Sequence, residues 1–408
     1  GERYTLLVPE QSSHEAEREL CAVCGDGLSL YAEVLSFTGL AREISSECGG
    51  AANEYLDKGG RLLCMALAAD GLYSRLRVYG AARRKAELQT MLLGAVDEFK
   101  SACVTSERLL DAAETCEGAL GDKLHDLGLI LEAYDGVVAN GRADPSDRLS
   151  VLAQQIGQCS MSERTHVFVD GFTDFTAQER RVLEALLLKG VRLTVCLGCD
   201  ELHGGSEVFA LSRITASALL KFAADNGIKA QTERRDGEST KAKPLGEFCE
   251  NMFSYRAVEA GDAQGRIKII SAADTNAECE FAAAEAVSLV RDTGCRWRDI
   301  AVCAKGFDDY RLPLESAFSR FGAPIYTARK ADMLSKPLPM LIESAYEIIL
   351  GGWEADDVFD YLRTGFGGLD TDECDELENY VFMWQLHGSA WTRAENWRLH
   401  PEGYGKQP

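Results

Sequence analysis

Residues 165–179 read THVFVDGFTDFTAQE and predict a buried strand that delivers an acidic side chain to the edge of a sheet. The run 166–169 is aromatic and β-branched, and Asp170 before a glycine is typical of the turn that ends such a strand. Thr176 and Glu179 have the spacing of a capping box, so a helix is predicted to follow. Asp170 is therefore expected where open α/β sheets place ligand chemistry.

Asp170 has two interpretations at this point. A nucleotide-binding fold uses an aspartate at the end of such a strand to hold the water shell of Mg²⁺ beside phosphates. An aspartate before Gly171 is also an ordinary turn residue. The segment alone favours the turn.

Composition limits the kind of protein to which this strand belongs. The chain has 408 residues, 46% of them hydrophobic and 26% charged, so we expect a globular protein of two or three domains. No apolar run approaches the length needed to span a bilayer, and no export signal is recognised at the N-terminus. The net charge of −22 argues against a surface that coats nucleic acid nonspecifically, so any DNA contact should be confined to a local groove.

The 14 cysteines are scattered through predicted helices and strands, which indicates reduced thiols in a cytoplasmic protein. Two CxxC pairs, at 21–24 and 196–199, have metal-like spacing. Because the first is predicted on a helix and the second on a strand, we expect no zinc site. The six histidines have no triad or HxxxH spacing and are expected to be ordinary surface or core residues.

Strand, turn and helix alternate along much of the chain, which is the pattern of a doubly wound α/β fold. Strands are predicted at 4–8, 31–35, 166–169, 191–197 and 228–231, with helices at 13–24, 40–47 and 214–226. Residues 53–150 show helical periodicity only and predict a helical insertion between two strands of one sheet. Residues 232–265 are expected to be a connection.

A second α/β unit is predicted from residue 266 to 340, followed by a mainly helical segment at 341–408. Its strands are expected at 267–270, 300–303 and 324–326, with helices at 278–291 and 310–321.

Four segments together resemble the AddB family, one of the two chains of the bacterial AddAB helicase-nucleases. They are VPEQ at 8–11 followed by Ser13, VLSFTGLA at 34–41, HVFVDGFTDFTAQE at 166–179, and DECDELENYVFMW at 372–384. The resemblance covers nearly the whole chain and implies two RecA-like parallel-sheet domains of superfamily-one helicase type, each with a helical insertion. Residues 1–52 and 151–231 would form the first, interrupted by 53–150, and 266–340 would begin the second, with 341–408 as a truncated insertion.

The resemblance also implies a function and partners. The family resects DNA double-strand breaks for recombinational repair, works as a heterodimer with an AddA-type helicase-nuclease subunit, and recognises the Chi sequence in single-stranded DNA. ATP and Mg²⁺ are the cofactors of the full-length family. No GxxxxGK[ST] phosphate loop occurs here, so the loop is expected upstream of Gly1, and the nuclease and its iron-sulfur cysteines beyond Pro408.

Residue 171 is a further departure, because active helicases carry a glutamate there to position the attacking water, and this chain carries Gly171. Asp170 is then the remnant of a nucleotide and Mg²⁺ site. We expect neither cofactor to bind this chain tightly, and the chain alone to be inactive although its parent complex is an ATP-dependent enzyme.

For DNA, the resemblance points to the turns after the first two strands and to the central strand. The expected DNA-binding residues are Gln11, Ser13, Phe37, Thr38 and Phe172. Aromatic faces stack bases, and amide or hydroxyl groups read their edges. Phe37 is equally well explained as a core residue at a strand end. Relatives often carry an arginine and then an aromatic residue where this chain has Gly39 and Arg42, which weighs against base-specific reading of Chi.

Two functions from different classes remain. The favoured one is a helicase-like subunit that guides single-stranded DNA next to a catalytic partner. The alternative is a free-standing, inactive helicase-like scaffold that binds other proteins, which the net charge of −22 would suit.

Overall fold

The computed structural model describes residues 3–25, 27–49, 55–139, 141–162, 164–235, 243–252, 265–327 and 333–403. The chain divides into two units, Gly1–Lys268 and Ile269–Pro408. The first contains a parallel sheet and two hydrophobic cores, and the second is built from helices around a core of its own. In the parts of the chain that the structure describes, no helix is both long and apolar enough to cross a membrane.

Four parallel strands form the sheet of the first unit. They are β1 (Arg3–Leu7), β2 (Ala32–Leu35), β3 (Thr165–Phe172) and β4 (Arg192–Leu197). Their order is β2-β1-β3-β4, so β1 and β3 are central. The prediction of an α/β fold with a parallel sheet is confirmed. Because all strands run the same way, the turns that follow them lie along one edge, which we call the carboxyl edge.

Ten helices accompany this sheet in the described part of the first unit. They are α1 (Ser13–Cys24), α2 (Phe37–Glu47), α3 (Lys58–Gly71), α4 (Ala86–Ser101), α5 (Ser106–Thr115), α6 (Ala119–Val138), α7 (Arg148–Gln155), α8 (Ala177–Leu188), α9 (Ala210–Asp225) and α10 (Lys243–Asn251). The hydroxyl of Ser36 accepts a hydrogen bond from Gly39 N at 3.1 Å, so α2 begins three residues before its predicted start. Thr176 and Glu179 form the predicted capping box of α8.

One face of the sheet is covered by α2, α7 and α8. Leu7, Val167 and Val169 alternate with less buried neighbours along β1 and β3 and are fully buried on this face. The helices contribute the rest of the core, including Leu40, Ile44, Leu152, Val182, Leu183 and Leu186. This core fixes the register of the central strands, and with it the position of the turns at the carboxyl edge.

Helices α3 to α6 lie between β2 and β3 in the chain and form a separate core, centred on Met65, Leu92, Ile130 and Tyr134. The chain enters and leaves this bundle side by side, because Leu56 N donates to the carbonyl of Ala143 at 2.9 Å. Among the described residues between β2 and β3, the structure contains helices and no sheet strand.

The second unit contains α11 (Thr275–Thr293), α12 (Phe307–Arg320), α13 (Pro337–Gly351), α14 (Ala355–Leu362) and α15 (Thr371–Trp384). Cys279 and Ala283 of α11 pack against Leu314 and Phe318 of α12. Phe359 of α14 meets the ring of Trp391 edge to face, with centroids 6.0 Å apart.

Four predicted strands are wrong. Within residues 265–327, the segments 267–270, 300–303 and 324–326 form no strand, and neither does 228–231 in the first unit. Ile269 and Tyr326 are 95% and 89% exposed. Short apolar segments become strands only where a neighbouring strand accepts their hydrogen bonds and a helix covers one face. The expected second sheet is therefore not formed in the part of the chain that the structure describes.

Candidate functional site

The predicted site residues follow three neighbouring strands. Leu7 of β1 pairs with Leu35 of β2 on one side and with Val169 of β3 on the other. The turns after these strands therefore lie side by side at the carboxyl edge. This brings Gln11 and Ser13, Thr38, and the end of β3 into one region of the molecule.

Glu10 joins the first two turns. Thr38 Oγ1 donates to Glu10 Oε2 at 3.5 Å, and Ser13 Oγ donates to the Glu10 carbonyl at 2.9 Å. Gln11 lies between them in the 3₁₀ turn Glu10–Ser12 and is exposed. The Ser13 hydroxyl is thus held by the backbone, while the Gln11 amide faces solvent at the rim.

Phe37 lies in the core and is only 5% exposed. Its ring meets Phe172 edge to face, with centroids 5.6 Å apart, and Phe175 in the same way at 6.2 Å. Because α2 begins at Phe37 itself, its side chain points onto the sheet and not out of the turn. In this conformation it offers no face to a base, as the core interpretation of this residue expects. Phe172 is partly exposed and is the aromatic candidate that remains at the surface.

Strand β3 does not end at Asp170, as the sequence predicts, but continues to Phe172 through a β-bulge. Gly171 adopts a left-handed backbone, with φ of +80°, inside this bulge. A short polar dipeptide is typical of a turn, but pairing with β4 carries the strand through it. The Asp170 carboxylate is exposed, and its Oδ1 accepts a hydrogen bond from Gly171 N at 2.9 Å.

The carboxyl edge is acidic. Glu10, Asp170 and Asp174 are exposed there, and Asp200 follows β4. The Asp200 carboxylate accepts hydrogen bonds from Ser206 N at 2.6 Å and Glu201 N at 2.8 Å, and it pairs with Arg213 at 3.1 Å. The hydrogen bond from Ser206, with that from Glu201 and the charge of Arg213, lowers the Asp200 pKa. Such an edge suits the bases of a nucleic acid better than its phosphates.

Metal chemistry finds no support among the described residues. No group of three or more His, Cys, Asp or Glu side chains there is placed to hold a metal ion. Cys199 Sγ instead donates to the carbonyl of Glu201 at 2.9 Å, and Cys24 is exposed on α1. Asp170 has the residue type for the water shell of a nucleotide-bound Mg²⁺, but here its carboxylate caps its own turn.

Sequence reasoning missed Phe175, which completes the aromatic cluster with Phe37 and Phe172; its ring lies 5.1 Å from that of Phe172. The spacing Phe172-x-x-Phe175 next to the capping box was the available signal. Phe175 matters because it shields the inner side of Phe172, so that only the outer side of that ring can meet a ligand.

A buried ionic network was also missed. Lys100 Nζ lies 2.9 Å from Asp135, 3.0 Å from Asp144 and 2.8 Å from Asp147. Arg61 Nε lies 3.0 Å from Asp144. Burial disfavours the Asp144 carboxylate, but the hydrogen bond from the backbone of Ser146 and the charge of Lys100 outweigh it and lower its pKa. Nothing in the periodicity of α3 or α4 marks these two cations as partners.

The network is tied to the carboxyl edge through α8. Gln178 Nε2 donates to the carbonyl of Ser146 at 2.8 Å and to Ser150 Oγ at 3.0 Å. Gln178 lies two residues after Thr176, the cap of the helix that follows β3. The helical bundle and the edge are therefore held in one arrangement by buried polar contacts.

Known proteins resemble this chain along almost its whole length. A family model described as "ADDB, N-terminal" matches residues 1–246. Relatives named as the B chain of an ATP-dependent helicase/deoxyribonuclease match in three bacteria. Identity is 31% in Acetivibrio thermocellus, over 97% of this chain and 36% of the relative. It is 32% in Desulforudis audaxviator (97% and 35%) and 31% in Thermoanaerobacter sp. strain X514 (96% and 35%).

The chain spans about a third of the length of the curated relatives that it matches. The family model covers more than half of the chain and includes all four strands and the whole carboxyl edge. This chain belongs to the AddB family.

Proposed function

We propose that this chain is the N-terminal, helicase-like part of a helicase-nuclease subunit that resects DNA double-strand breaks for recombinational repair in the cytoplasm. Its membership of the AddB family supports this role, since its relatives are named as subunits of an ATP-dependent helicase/deoxyribonuclease. The observation that carries the proposal is the meeting of Gln11, Thr38 and Phe172 at one edge of a parallel sheet.

The proposed role is guidance of single-stranded DNA. The outer side of Phe172 stacks a base, and Gln11 and Thr38 offer polar groups to its edge. A stacked base contributes about 1–3 kcal/mol, whereas micromolar affinity needs about 8 kcal/mol. With the net charge of −22 opposing long-range attraction, the chain alone should bind weakly. An AddA-type subunit would supply the rest of the channel, and the complete heterodimer would read Chi if any part of it does.

The rest of the architecture follows the same proposal. The sheet of the first unit, interrupted by α3 to α6, is one RecA-like domain, and the second unit belongs to another. ATP and Mg²⁺ serve the complete subunits. In this chain the remnant Asp170 is occupied by its own backbone, so the edge contributes to DNA guidance and not to hydrolysis.

Fluorescence anisotropy with a labelled oligothymidylate tests the proposal, at two salt concentrations and with and without the partner subunit. We expect weak, salt-sensitive binding that the partner strengthens, and a loss of affinity in Phe172→Ala and Gln11→Ala. Phe366→Ala and Gln154→Ala are matched controls, because Phe366 is 59% exposed in the second unit and Gln154 is exposed on α7. Equal binding by all four variants would favour the protein-interaction scaffold instead.

A further inference from the structure

The bulge in β3 changes which side of the sheet Phe172 faces. Val169 of β3 pairs with Val195 of β4, and Phe172 pairs with Leu197. Three steps along β3 therefore match two steps along β4, so β3 contains one extra residue. The extra residue lies in the dipeptide Asp170-Gly171.

Alternation along the strand gives the consequence. Val167 and Val169 are fully buried on the face that α2 covers. In a regular strand Phe172, three residues after Val169, would face the opposite side. With the extra residue it returns to the side of Val169, where it meets Phe37 and Phe175. The bulge is thus what brings Phe172 into the aromatic cluster.

Two features of residue 171 require glycine. Its φ of +80° is a left-handed conformation that side chains with a Cβ adopt only with strain. A Cβ placed there would also lie 3.2 Å from Pro9 Cδ, which is tighter than an ordinary contact. Pro9 begins the turn that carries Gln11, so the same close approach sets the distance between Gln11 and the end of β3.

We propose that Gly171 is a positioning residue for single-stranded DNA. Its left-handed backbone turns Phe172 onto the α2 side of the sheet and lets the turn of Gln11 approach it, so that one base can stack on Phe172 beside the Gln11 amide. This inference rests on the proposed function and adds the residue that sets its geometry. Gly171 acts through Phe172 and does not itself touch the DNA.

The test compares binding of an oligothymidylate with that of an abasic oligonucleotide of the same length, at low salt, by anisotropy of the full chain. Both probes carry the same phosphates, so their ratio reports base stacking alone. We expect the wild type to prefer the bases by about fivefold to tenfold. Phe172→Ala and Gly171→Ala should both abolish this preference. Gly294→Ala is the matched control, because Gly294 has a φ of +71° at the end of α11 with open space around it.

A second variant covers the case in which Gly171→Ala fails to fold. Asparagine tolerates the left-handed region, and Pro9→Ala removes the ring atoms that a new Cβ would meet, so the double variant Pro9→Ala, Gly171→Asn should retain the preference for bases. If Phe172→Ala loses the preference while Gly171→Ala keeps it, the inference is wrong and the proposed function stands. If the wild type shows no preference, or does not bind, both are wrong.

Discussion

The carboxylate of Asp144 lies 3.0 Å from Lys100 Nζ, and its side chain is completely buried. This ion pair joins α4 to the segment by which the helical bundle returns to the sheet. Arg61 of α3 pairs with the same carboxylate from the other side. Gln178 then connects this segment to the helix that follows β3. The position of the bundle relative to the carboxyl edge therefore depends on a small set of buried charges.

Removal of Lys100 should destabilise the protein strongly. Lys100→Met leaves the buried Asp144 without one of its two cations, and breaking a buried pair of this kind typically costs about 3–5 kcal/mol. Urea denaturation of the full chain measures the change. Arg291→Ala is the control, since Arg291 pairs with Asp292 on the surface and its loss should leave the unfolding free energy unchanged within error. Equal effects of the two substitutions would show that the network does not hold the bundle.

Acid should remove the contribution of Asp144. Because its pKa is lowered in the folded state, its ionisation stabilises the fold above the pKa of the unfolded chain, about 3.9, and this stability is lost as the pH falls through the folded value. The difference in unfolding free energy between wild type and Asp144→Asn should therefore be constant from about pH 5 to 7 and shrink below about pH 4.

Asp147 provides the contrasting case. Burial, reinforced by the charges of Asp144 and Asp135, outweighs Lys100 and raises its pKa. Its ionisation therefore opposes folding as the pH rises, so Asp147→Asn should gain stability relative to wild type on going from about pH 4 to pH 7. Parallel pH profiles for the two variants would contradict this assignment.

Much of the first unit could be predicted because its signals are local. The strands at β1 and β3, the capping box at Thr176, and the helical character of the segment between β2 and β3 all follow from period and turn chemistry. The four wrong strands have the same local signals but lack the neighbour that makes a strand. Local propensity cannot reveal that a partner is missing.

The candidate site was predictable as a neighbourhood but not in its detail. That Gln11, Thr38 and Phe172 share an edge follows from parallel topology. That Phe37 is buried depends on where α2 begins, and that Phe172 turns inward depends on one extra residue in β3. The network of Lys100 and Asp144 joins residues 44 positions apart, and no sequence spacing marks such a pair.

Phe37 should prove to be a structural residue. Phe37→Ala removes a ring that is 5% exposed and contacts Phe172 and Phe175, so we expect a loss of about 3–5 kcal/mol in unfolding free energy. Phe366→Ala, at a site 59% exposed, should change it little. Chemical denaturation compares the two. An unchanged stability of Phe37→Ala, with weakened DNA binding, would return Phe37 to the DNA surface.

The chain alone should not hydrolyse ATP. The sequence contains no phosphate loop to cradle the phosphates with backbone amides, and residue 171 cannot position a water molecule. Phosphate release in the presence of Mg²⁺ should equal the background and should be the same in Asp170→Ala. Turnover that disappears on this substitution would show that Asp170 still serves a working nucleotide site.

Photocrosslinking tests the central claim, that single-stranded DNA follows the carboxyl edge, most directly. An oligonucleotide carrying 4-thiothymidine is bound to the chain together with its partner subunit, irradiated, and the attached peptides are identified by mass spectrometry. We predict crosslinks to the turn that contains Gln11 and to the end of β3 at Phe172, and their loss when unmodified oligonucleotide competes. Crosslinks confined to other surfaces of the chain, or to the partner alone, would contradict the account.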